Sequence, residues 1–341
     1  MQTLSLELKA RQNVLLIGPP GIAKTARILA AAAENSFAVV TWRASLMERV
    51  DISGCIVPDH AKGISAQLPF ADIAELRATK ADTLLFIDDL GQAPIDVQAA
   101  IMRAFDNDYF PANVVIWAAS NRPADKAGVN SLCEPLRSRF HSAYIIATPD
   151  SQDSPAGGVL LQDWQSELDG WLNWAMDNQA PAEIIAWHRF TLGKNLYTWK
   201  PCADPSVRMA DFRSWGALIK RWNAGLRDLA SCAAVIGKPA AAEFLAFANL
   251  ADKLPSPDQV WMDPNGAAVP SEPSAQYLII TSLAGQVSAS TAPAFIQYIA
   301  RMPRVMTALG AKDAFRRLGN KLSGCKDWVK WFTENSTLFQ S

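Results

Sequence analysis

The sequence predicts an α/β fold with a parallel sheet in the first half of the chain and an all-helical structure in the second. Apolar runs at residues 13–17, 84–87 and 113–120 each end in glycine or polar residues, as buried strands of parallel sheets do. A glycine-rich turn and an alanine-rich helical stretch follow the first run. After Pro149 there is no strong strand pattern, and apolar residues recur at helical spacing.

The composition indicates a globular protein. Of its 341 residues 50% are apolar and 19% are charged, which excludes a disordered chain. The net charge of −1 gives no global field that would attract nucleic acid or acidic lipid. The five cysteines are scattered, which favours free thiols in a reducing compartment. We see no secretion signal and no apolar run near the ~20 residues that span a bilayer, so we expect a cytoplasmic protein without membrane insertion.

The first element is a strand, a loop and a helix around "GPPGIAKT", residues 18–25. Its spacing is close to the loop G-x-x-x-x-G-K-[ST], in which backbone N–H groups and a helix N-terminus surround the β-phosphate. Lys24 would reach the β- and γ-phosphates, and the Thr25 hydroxyl would bind Mg²⁺. The residues that we expect to bind the nucleotide are Gly18, Pro19, Pro20, Gly21, Ile22, Ala23, Lys24, Thr25 and Ala26.

Ala23 stands where this pattern has its second glycine. Its methyl group is tolerable if the backbone dihedrals of Ala23 lie in an ordinary region for an L-residue. The alternative for the whole loop is a chance turn, rich in glycine and proline, between a strand and a helix.

The second element is the apolar strand that ends in Asp88 and Asp89. Ligands bind at the carboxyl ends of parallel strands, so Asp88 is placed to hold Mg²⁺ and Asp89 to orient the attacking water. An ordinary turn or helix cap explains two aspartates after a strand when they are considered alone. The phosphate-binding pattern upstream favours the nucleotide interpretation.

The third strand ends at Asn121, which we expect beside the γ-phosphate, although an asparagine after a strand is usually a turn former. A helix end and another apolar strand, residues 143–147, follow it. Between them lie Arg137 and Arg139, which by themselves would be surface charges.

These elements, in this order, resemble the AAA+ ATPases and, within them, the MoxR-like group. An alanine before the lysine is usual in MoxR-like loops, and "DISG" at residues 51–54 resembles their D-x-x-G segment. "FIDDLGQAPIDVQAAIMRAF" resembles a Walker B segment and its helix, with Asp89 in place of the usual glutamate. The resemblance maps Asn121 to sensor 1, and Arg139 to an arginine finger that reaches a neighbouring subunit's ATP. It is specific across residues 10–150 and weaker beyond.

The resemblance implies three regions: an AAA+ nucleotide-binding core at residues 1–150, a helical lid at 151–253, and a Pro-rich linker with a helical C-terminal extension at 254–341. A turn-rich connector opens the lid, and Pro181 is expected at the first position of a helix. The "FRSW" stretch resembles the sensor 2 segment of MoxR-like proteins and makes Arg213 the expected nucleotide-binding arginine. Arg208 competes with it, because no proline precedes Arg213, and a solvated helix face is the alternative for both.

The activity implied by the resemblance is ATP hydrolysis by a ring, six subunits being the family habit, with ATP and Mg²⁺ as cofactors. Such proteins act as chaperones that remodel or assemble a protein client, commonly with a von Willebrand factor A domain partner.

A nucleic-acid-directed motor and an ATP-binding scaffold with little turnover stay open as alternatives. The near-zero net charge argues against the motor. The scaffold stays open because Asp89 is one methylene shorter than glutamate. Basic and aromatic residues near the C-terminus could bind single-stranded nucleic acid. Alternatively, they could form the solvent-exposed and the buried face of one helix.

Overall fold

The computed structural model describes residues 2–125, 128, 130, 132–150, 158–204 and 206–339. The chain forms two compact units. The α/β unit comprises Met1–Glu167 and Trp199–Ala203, and the helical unit comprises Leu168–Thr198 and Asp204–Ser341. Residues 151–157 of the predicted connector lie outside the described residues, and the domain boundaries at 150 and 253 stay predictions.

The α/β unit is built on a six-stranded parallel sheet, which confirms the predicted fold class. The strands of the described chain are β1 Val14–Ile17, β2 Ala38–Arg43, β3 Cys55–Asp59, β4 Ile64–Leu68, β5 Thr83–Asp88, β6 Val114–Ser120, β7 Ser142–Ile145 and β8 Val159–Leu160. The order in the sheet is β2-β5-β6-β1-β7-β8, and β3 and β4 form a separate antiparallel hairpin. Because β6 lies between β5 and β1, the carboxyl ends of these three strands are neighbours.

Short helices cover the sheet. They are α1 Gln2–Lys9, α2 Lys24–Glu34, α3 Arg49–Ser53, α4 Ala71–Ala78, α5 Ile95–Ile101 and α6 Glu134–Arg137. The central strands β1, β5 and β6 are apolar and buried on both faces. Leu85 and Ile116 pack in one core cluster with Val97 and Ile101 of α5. The predicted helix at residues 24–33 is α2, whose small alanines allow it to approach closely while Ile28 is fully buried.

The helix α7, Trp164–Asp177, begins at the end of the α/β unit and continues in the helical unit. The other helices are α8 Ala182–Phe190, α9 Phe212–Asn223, α10 Leu229–Ile236, α11 Lys238–Ala248, α12 Pro257–Met262, α13 Pro273–Gln286, α14 Ala292–Ile299, α15 Arg304–Leu318, α16 Asn320–Ser323 and α17 Lys326–Glu334. The predicted helical second half is therefore confirmed. No helix in the described part of the chain is long and apolar enough to cross a bilayer.

Four local features differ from the sequence-based expectations or were missed by them. The two-residue strand β8 lies in the region where no strand was expected. It was missed because two residues are too few for a periodic pattern. The predicted Pro-rich linker contains α12, for which Pro257 is the first residue. Pro181 is the N-cap of α8 and not its first helical residue. The hairpin β3–β4 was not predicted. It begins after Gly54, whose φ of 83° and close approach to the Leu68 carbonyl require glycine.

Candidate nucleotide site

The loop Gly18–Ala23 joins β1 to α2 at the carboxyl edge of the sheet. The Gly18 N–H donates to the Ser120 carbonyl at 3.1 Å, which fixes the loop to the end of β6. A Cβ atom at Gly18 would lie 3.1 Å from Ile22 and 3.3 Å from Ile146, so only a glycine fits without displacing its neighbours. The N-terminus of α2 has no side-chain cap, and its N–H groups are oriented as an anion site requires.

Ala23 does not have the ordinary dihedrals that the sequence analysis required of it. Its φ is 65° and its ψ is 31°, in the left-handed region. A glycine adopts this conformation without cost, whereas an L-residue loses about 1–2 kcal/mol. Ala23 therefore follows the backbone path of the glycine that it replaces and stores strain at the start of α2.

Lys24 lies at the centre of the candidate site and is 8% exposed. Its Nζ donates to the carbonyls of Gly18 at 2.8 Å and Pro19 at 3.0 Å, and to Asn121 Oδ1 at 2.6 Å. Burial lowers the pKa of Lys24 to about 8, and the negative charge of Asp89 is the largest influence against this lowering. The ammonium group thus joins the loop to the end of β6 and is held within a cluster of carboxylates.

The carboxylates at the end of β5 lie next to the start of α2. The Thr25 hydroxyl donates to Asp88 Oδ2 at 3.1 Å, and the Asp89 N–H donates to Asp88 Oδ1 at 3.1 Å. Asp89 has a φ of 54° in the left-handed region, so the chain turns sharply at this residue. Thr25 and Asp88 also line an open cavity of about 710 Å³, whose other walls include Trp42 of β2. Hydroxyl and carboxylate oxygens are the donors that Mg²⁺ prefers, so this pair fits a magnesium ion.

Asn121 follows β6 directly and is 7% exposed. Its side-chain oxygen accepts from Lys24, and its carbonyl accepts from the Ser120 hydroxyl at 2.9 Å. The predicted loop, Walker B and sensor 1 residues therefore come together, because the ends of β1, β5 and β6 are adjacent. Their roles toward a nucleotide stay predictions.

A pair that the sequence analysis missed lies beside Asn121. Arg122 makes a bidentate ion pair with Asp125, whose side chain is 2% exposed. The charges of both residues act on the Lys24 ammonium. The only sequence signal is the three-residue spacing, which is typical of a turn in which aspartate accepts from the backbone.

Arg139 lies two residues after α6, outside this cluster of hydrogen bonds. Its side chain is 45% exposed, and its guanidinium lies 3.6 Å from the carboxylate of Asp106. The adjacent Phe140 packs edge-on against Phe105 at 5.1 Å. Arg137 is 58% exposed and pairs with Glu134. Arg139 is therefore a half-exposed residue whose guanidinium is paired with a half-exposed carboxylate at the surface.

Arg213 and Arg208, the two expected sensor 2 candidates, belong to the helical unit, and both are exposed. Arg213 is in the first turn of α9, whose N-cap Asp211 accepts from the Ser214 N–H at 2.6 Å. Among the described residues, no group of three or more histidine, cysteine, aspartate or glutamate side chains could form a metal site.

Comparison with known proteins identifies the family of the first unit. Residues 14–147 match the family model of AAA, the ATPase family associated with various cellular activities. No curated protein matches the sequence. The chain is similar to the RuvB Holliday junction branch migration motor of Thermotoga maritima, with 19% identity over 76% of this chain and 73% of that chain, and a TM-score of 0.41. It is also similar to NtrX of Brucella abortus in complex with ADP, with 12% identity over 99% of this chain and 67% of that chain, and a TM-score of 0.42. Neither distant likeness indicates a function. The family match spans β1 to the end of the sheet's central strands, and residues 14–147 therefore form an AAA ATPase domain.

Proposed function

We propose that this protein is an ATP hydrolase whose AAA domain binds ATP at the carboxyl ends of β1, β5 and β6. The observation that carries the proposal is the convergence of Lys24 and Asn121 with the Thr25–Asp88 pair at this edge. A buried and satisfied polar network holds its side chains in one geometry, and this edge is where parallel sheets bind ligands.

Lys24 is the phosphate-binding cation of the proposed site. Its three acceptors are two loop carbonyls and the Asn121 side chain. A β- or γ-phosphate oxygen is a stronger acceptor than these neutral groups, so the ammonium can exchange one of them for the nucleotide. The uncapped N-terminus of α2 contributes a second favourable field for the same phosphates.

Thr25 and Asp88 would hold the magnesium ion, and Asp89 would orient the attacking water. When bound, Mg²⁺ neutralises the charge of the β- and γ-phosphates. The Thr25 hydroxyl donates to Asp88, which supports the role of this carboxylate toward the ion, and the chain makes a left-handed turn at Asp89, the next residue.

The active unit that we propose is a ring, with six subunits as the expected number. Arg139 would act on the nucleotide of a neighbouring subunit, and its half-exposed side chain, whose surface ion pair with Asp106 a phosphate could replace, supports this role. Of the AAA+ groups, the MoxR-like type fits best, because Ala23 preserves the backbone of the phosphate loop without its glycine. The ring would then remodel or assemble a protein client, with a von Willebrand factor A domain protein as partner and with Arg213 as the sensor 2 residue.

ATP turnover by the purified protein and its Lys24→Ala variant tests the proposed function. Loss of the cation should reduce ATP hydrolysis by about 10²-fold or more, because no other side chain can replace its contact with the phosphates. Lys62→Ala is the matched control, since Lys62 is 73% exposed and pairs with Asp59 in the hairpin. Undiminished turnover and ATP affinity in Lys24→Ala would refute the proposed site.

A nucleic-acid-directed motor is the second candidate, and the exposed basic side chains of Lys321, Lys326 and Lys330 favour it. The aromatic residues of the same segment argue against a base-stacking surface, since Trp328 is 3% exposed and packs against Trp331 at 5.9 Å. Turnover with and without single-stranded DNA separates the candidates: a large stimulation supports the motor, and none supports the protein remodeller.

A further inference from the structure

The pair Arg122–Asp125 connects directly to the peptide group that follows Asn121. Asp125 Oδ2 accepts from the backbone N–H of Arg122 at 2.9 Å, and Oδ1 accepts from Nη2 at 2.8 Å. The Nε–H of Arg122 is shared between both oxygens at 3.1 and 3.2 Å. One buried carboxylate therefore binds both the main chain and the side chain of a single residue.

The peptide between Asn121 and Arg122 is held at both ends. Its carbonyl accepts from the Ser120 hydroxyl at 2.9 Å, and its N–H donates to Asp125. A peptide group is planar, so fixing its oxygen and its hydrogen fixes the whole plane, including the Cα atom from which the Asn121 side chain extends. That side chain meets Lys24 Nζ at 2.6 Å.

A stabilising role alone does not explain this arrangement. An ion pair between the buried Asp125 and the partly exposed Arg122 contributes little net stability, because desolvation of the carboxylate offsets the attraction between the charges. An aspartate that accepts only from the backbone would cap the same turn without an arginine partner. The guanidinium adds a rigid fork that prevents the carboxylate from rotating, so the N–H of Arg122 has one fixed acceptor.

We propose that Asp125 is a positioning residue which, through Arg122, fixes the Asn121 amide against the terminal phosphate of bound ATP. The inference rests on the proposed function for the contact between Asn121 and ATP. It adds that the precision of this contact is set by Asp125, four residues further along the chain and outside the matched motifs.

A double-mutant cycle with Asp125→Asn and Asn121→Ala tests the inference. Asp125→Asn keeps the shape of the side chain but loses its charge and one acceptor. It should reduce kcat for ATP about tenfold, as expected for a slightly misplaced contact, and leave the affinity for ADP unchanged. In the Asn121→Ala background, the same substitution should change kcat less than about twofold, because the residue through which it acts is absent.

Asp82→Asn is the matched control, since Asp82 also pairs with an arginine, Arg11, at the surface of the same unit. It should leave kcat unchanged. If Asp125→Asn does not fold, Arg122→Lys replaces it in the cycle, because lysine keeps the charge but not the fork. Equal losses of kcat in both backgrounds, or no loss in either, would overturn the inference.

Failure of the proposed function is recognised separately. If the wild-type protein binds ATP without hydrolysing it, the proposed ATPase activity is refuted, and the cycle is read from the affinity for ATP relative to ADP. Asp125→Asn should then reduce this ratio only when Asn121 is present. An equal reduction without Asn121, or no reduction at all, would overturn the positioning role independently of hydrolysis.

Discussion

Two buried polar regions of the molecule satisfy their hydrogen-bonding groups in different ways. At the candidate nucleotide site, Lys24, Asn121 and Asp125 are buried and each is hydrogen-bonded to a named partner. In the helical unit, His188 is completely buried, and neither of its ring nitrogens has a hydrogen-bond partner among the described residues. The indole N–H groups of Trp171, Trp187 and Trp222 are in the same condition.

Aromatic rings take the place of hydrogen-bond acceptors around His188. Its ring meets Trp215 edge-on at 4.2 Å and 84°, and Trp171 at 4.9 Å and 78°. A ring N–H can point at the face of a neighbouring indole, a weak interaction that offsets part of the ~1–3 kcal/mol cost of an unpaired buried polar group. The difference teaches that the polar groups of the candidate nucleotide site define its geometry, whereas those around His188 fill volume in an aromatic core. Substitutions should therefore change turnover in the first region and stability in the second.

The largest expected effect is the loss of ATP hydrolysis when Arg139, which we propose acts on the nucleotide of a neighbouring subunit, is replaced. Arg139→Ala should reduce hydrolysis by about 10³–10⁵-fold if Arg139 is an arginine finger in trans. Mixing Arg139→Ala with Lys24→Ala should restore part of the activity, because a mixed interface joins an intact loop to an intact finger. ATP turnover at several protein concentrations measures both effects, and ATP should favour assembly. Arg137→Ala, the matched control on a 58% exposed arginine, should have little effect.

Two outcomes would contradict the trans role of Arg139. One is full turnover by dilute monomers, and the other is a complete lack of complementation between the two inactive variants. Either result would reduce the proposal to a solitary P-loop ATPase.

A second effect separates the two aspartates at the end of β5. Asp89→Asn should still bind ATP but hydrolyse it about 10²–10⁴-fold more slowly, as expected for loss of a residue that orients water. Asp88→Asn should also weaken the dependence of ATP binding on Mg²⁺, because Asp88 is the carboxylate bonded to Thr25. Titrations of ATP at several Mg²⁺ concentrations make the comparison. Equal effects of both substitutions on binding would show that the two side chains do not divide these tasks.

A third effect concerns the stability of the helical unit and its dependence on pH. Burial lowers the pKa of His188 to about 3, whereas an unfolded histidine titrates near ~6.5. Between these values the unfolded chain binds a proton that the folded chain does not. The free energy of unfolding should therefore decrease as the pH falls below ~6.5, by up to about 1.4 kcal/mol per pH unit, and be unaffected by this group above it.

Urea unfolding at pH 8 and pH 5, followed by tryptophan fluorescence, measures this dependence on pH. His188→Leu should remove most of it without changing turnover at pH 8. His60→Leu is the control, because His60 is exposed and its substitution should leave the dependence as it was. An identical loss of stability on acidification in His188→Leu and the unmodified protein would contradict the role of His188.

The smallest expected effect is the gain in stability when an alanine or serine with a left-handed backbone is replaced by glycine in the α/β unit. Ala23→Gly removes the cost of the left-handed backbone and should stabilise the folded state by about 1 kcal/mol. The larger conformational entropy of glycine in the unfolded chain offsets part of this gain. Ser36→Gly relieves similar strain at an exposed residue with a φ of 59° beyond the end of α2. Thermal unfolding should shift upward slightly in both variants, whereas ADP affinity should change only in Ala23→Gly. An equal change of ADP affinity in Ser36→Gly would contradict the prediction, because Ser36 is not part of the phosphate loop.

Much of this architecture could be predicted because its signals are local. The runs before Gly18, Asp88 and Asn121 are apolar enough to identify buried strands, and parallel strands place their carboxyl ends together. The dihedrals of Ala23 could not be predicted, since an alanine in the sequence does not reveal a left-handed turn that tertiary contacts impose. The partners of Arg122 and Arg139 were missed for a related reason. Ion pairs depend on the directions that side chains take after folding, which the sequence does not show. The strand β8 was missed because two residues are too few for a periodic pattern.

The position of β1 in the middle of the sheet has a consequence for synthesis of the chain. Val14 pairs with Trp117 on one side and with Ser142 on the other. At about 5–20 residues per second, a ribosome reaches the second partner roughly 6–25 s after it has made Val14. For most of this interval β1 and the adjoining phosphate loop lack the two strands that flank them in the sheet, since β6 is made only shortly before β7. Nucleotide can thus stabilise only a unit whose sheet is already closed around β1, and cannot guide the earlier steps of its folding.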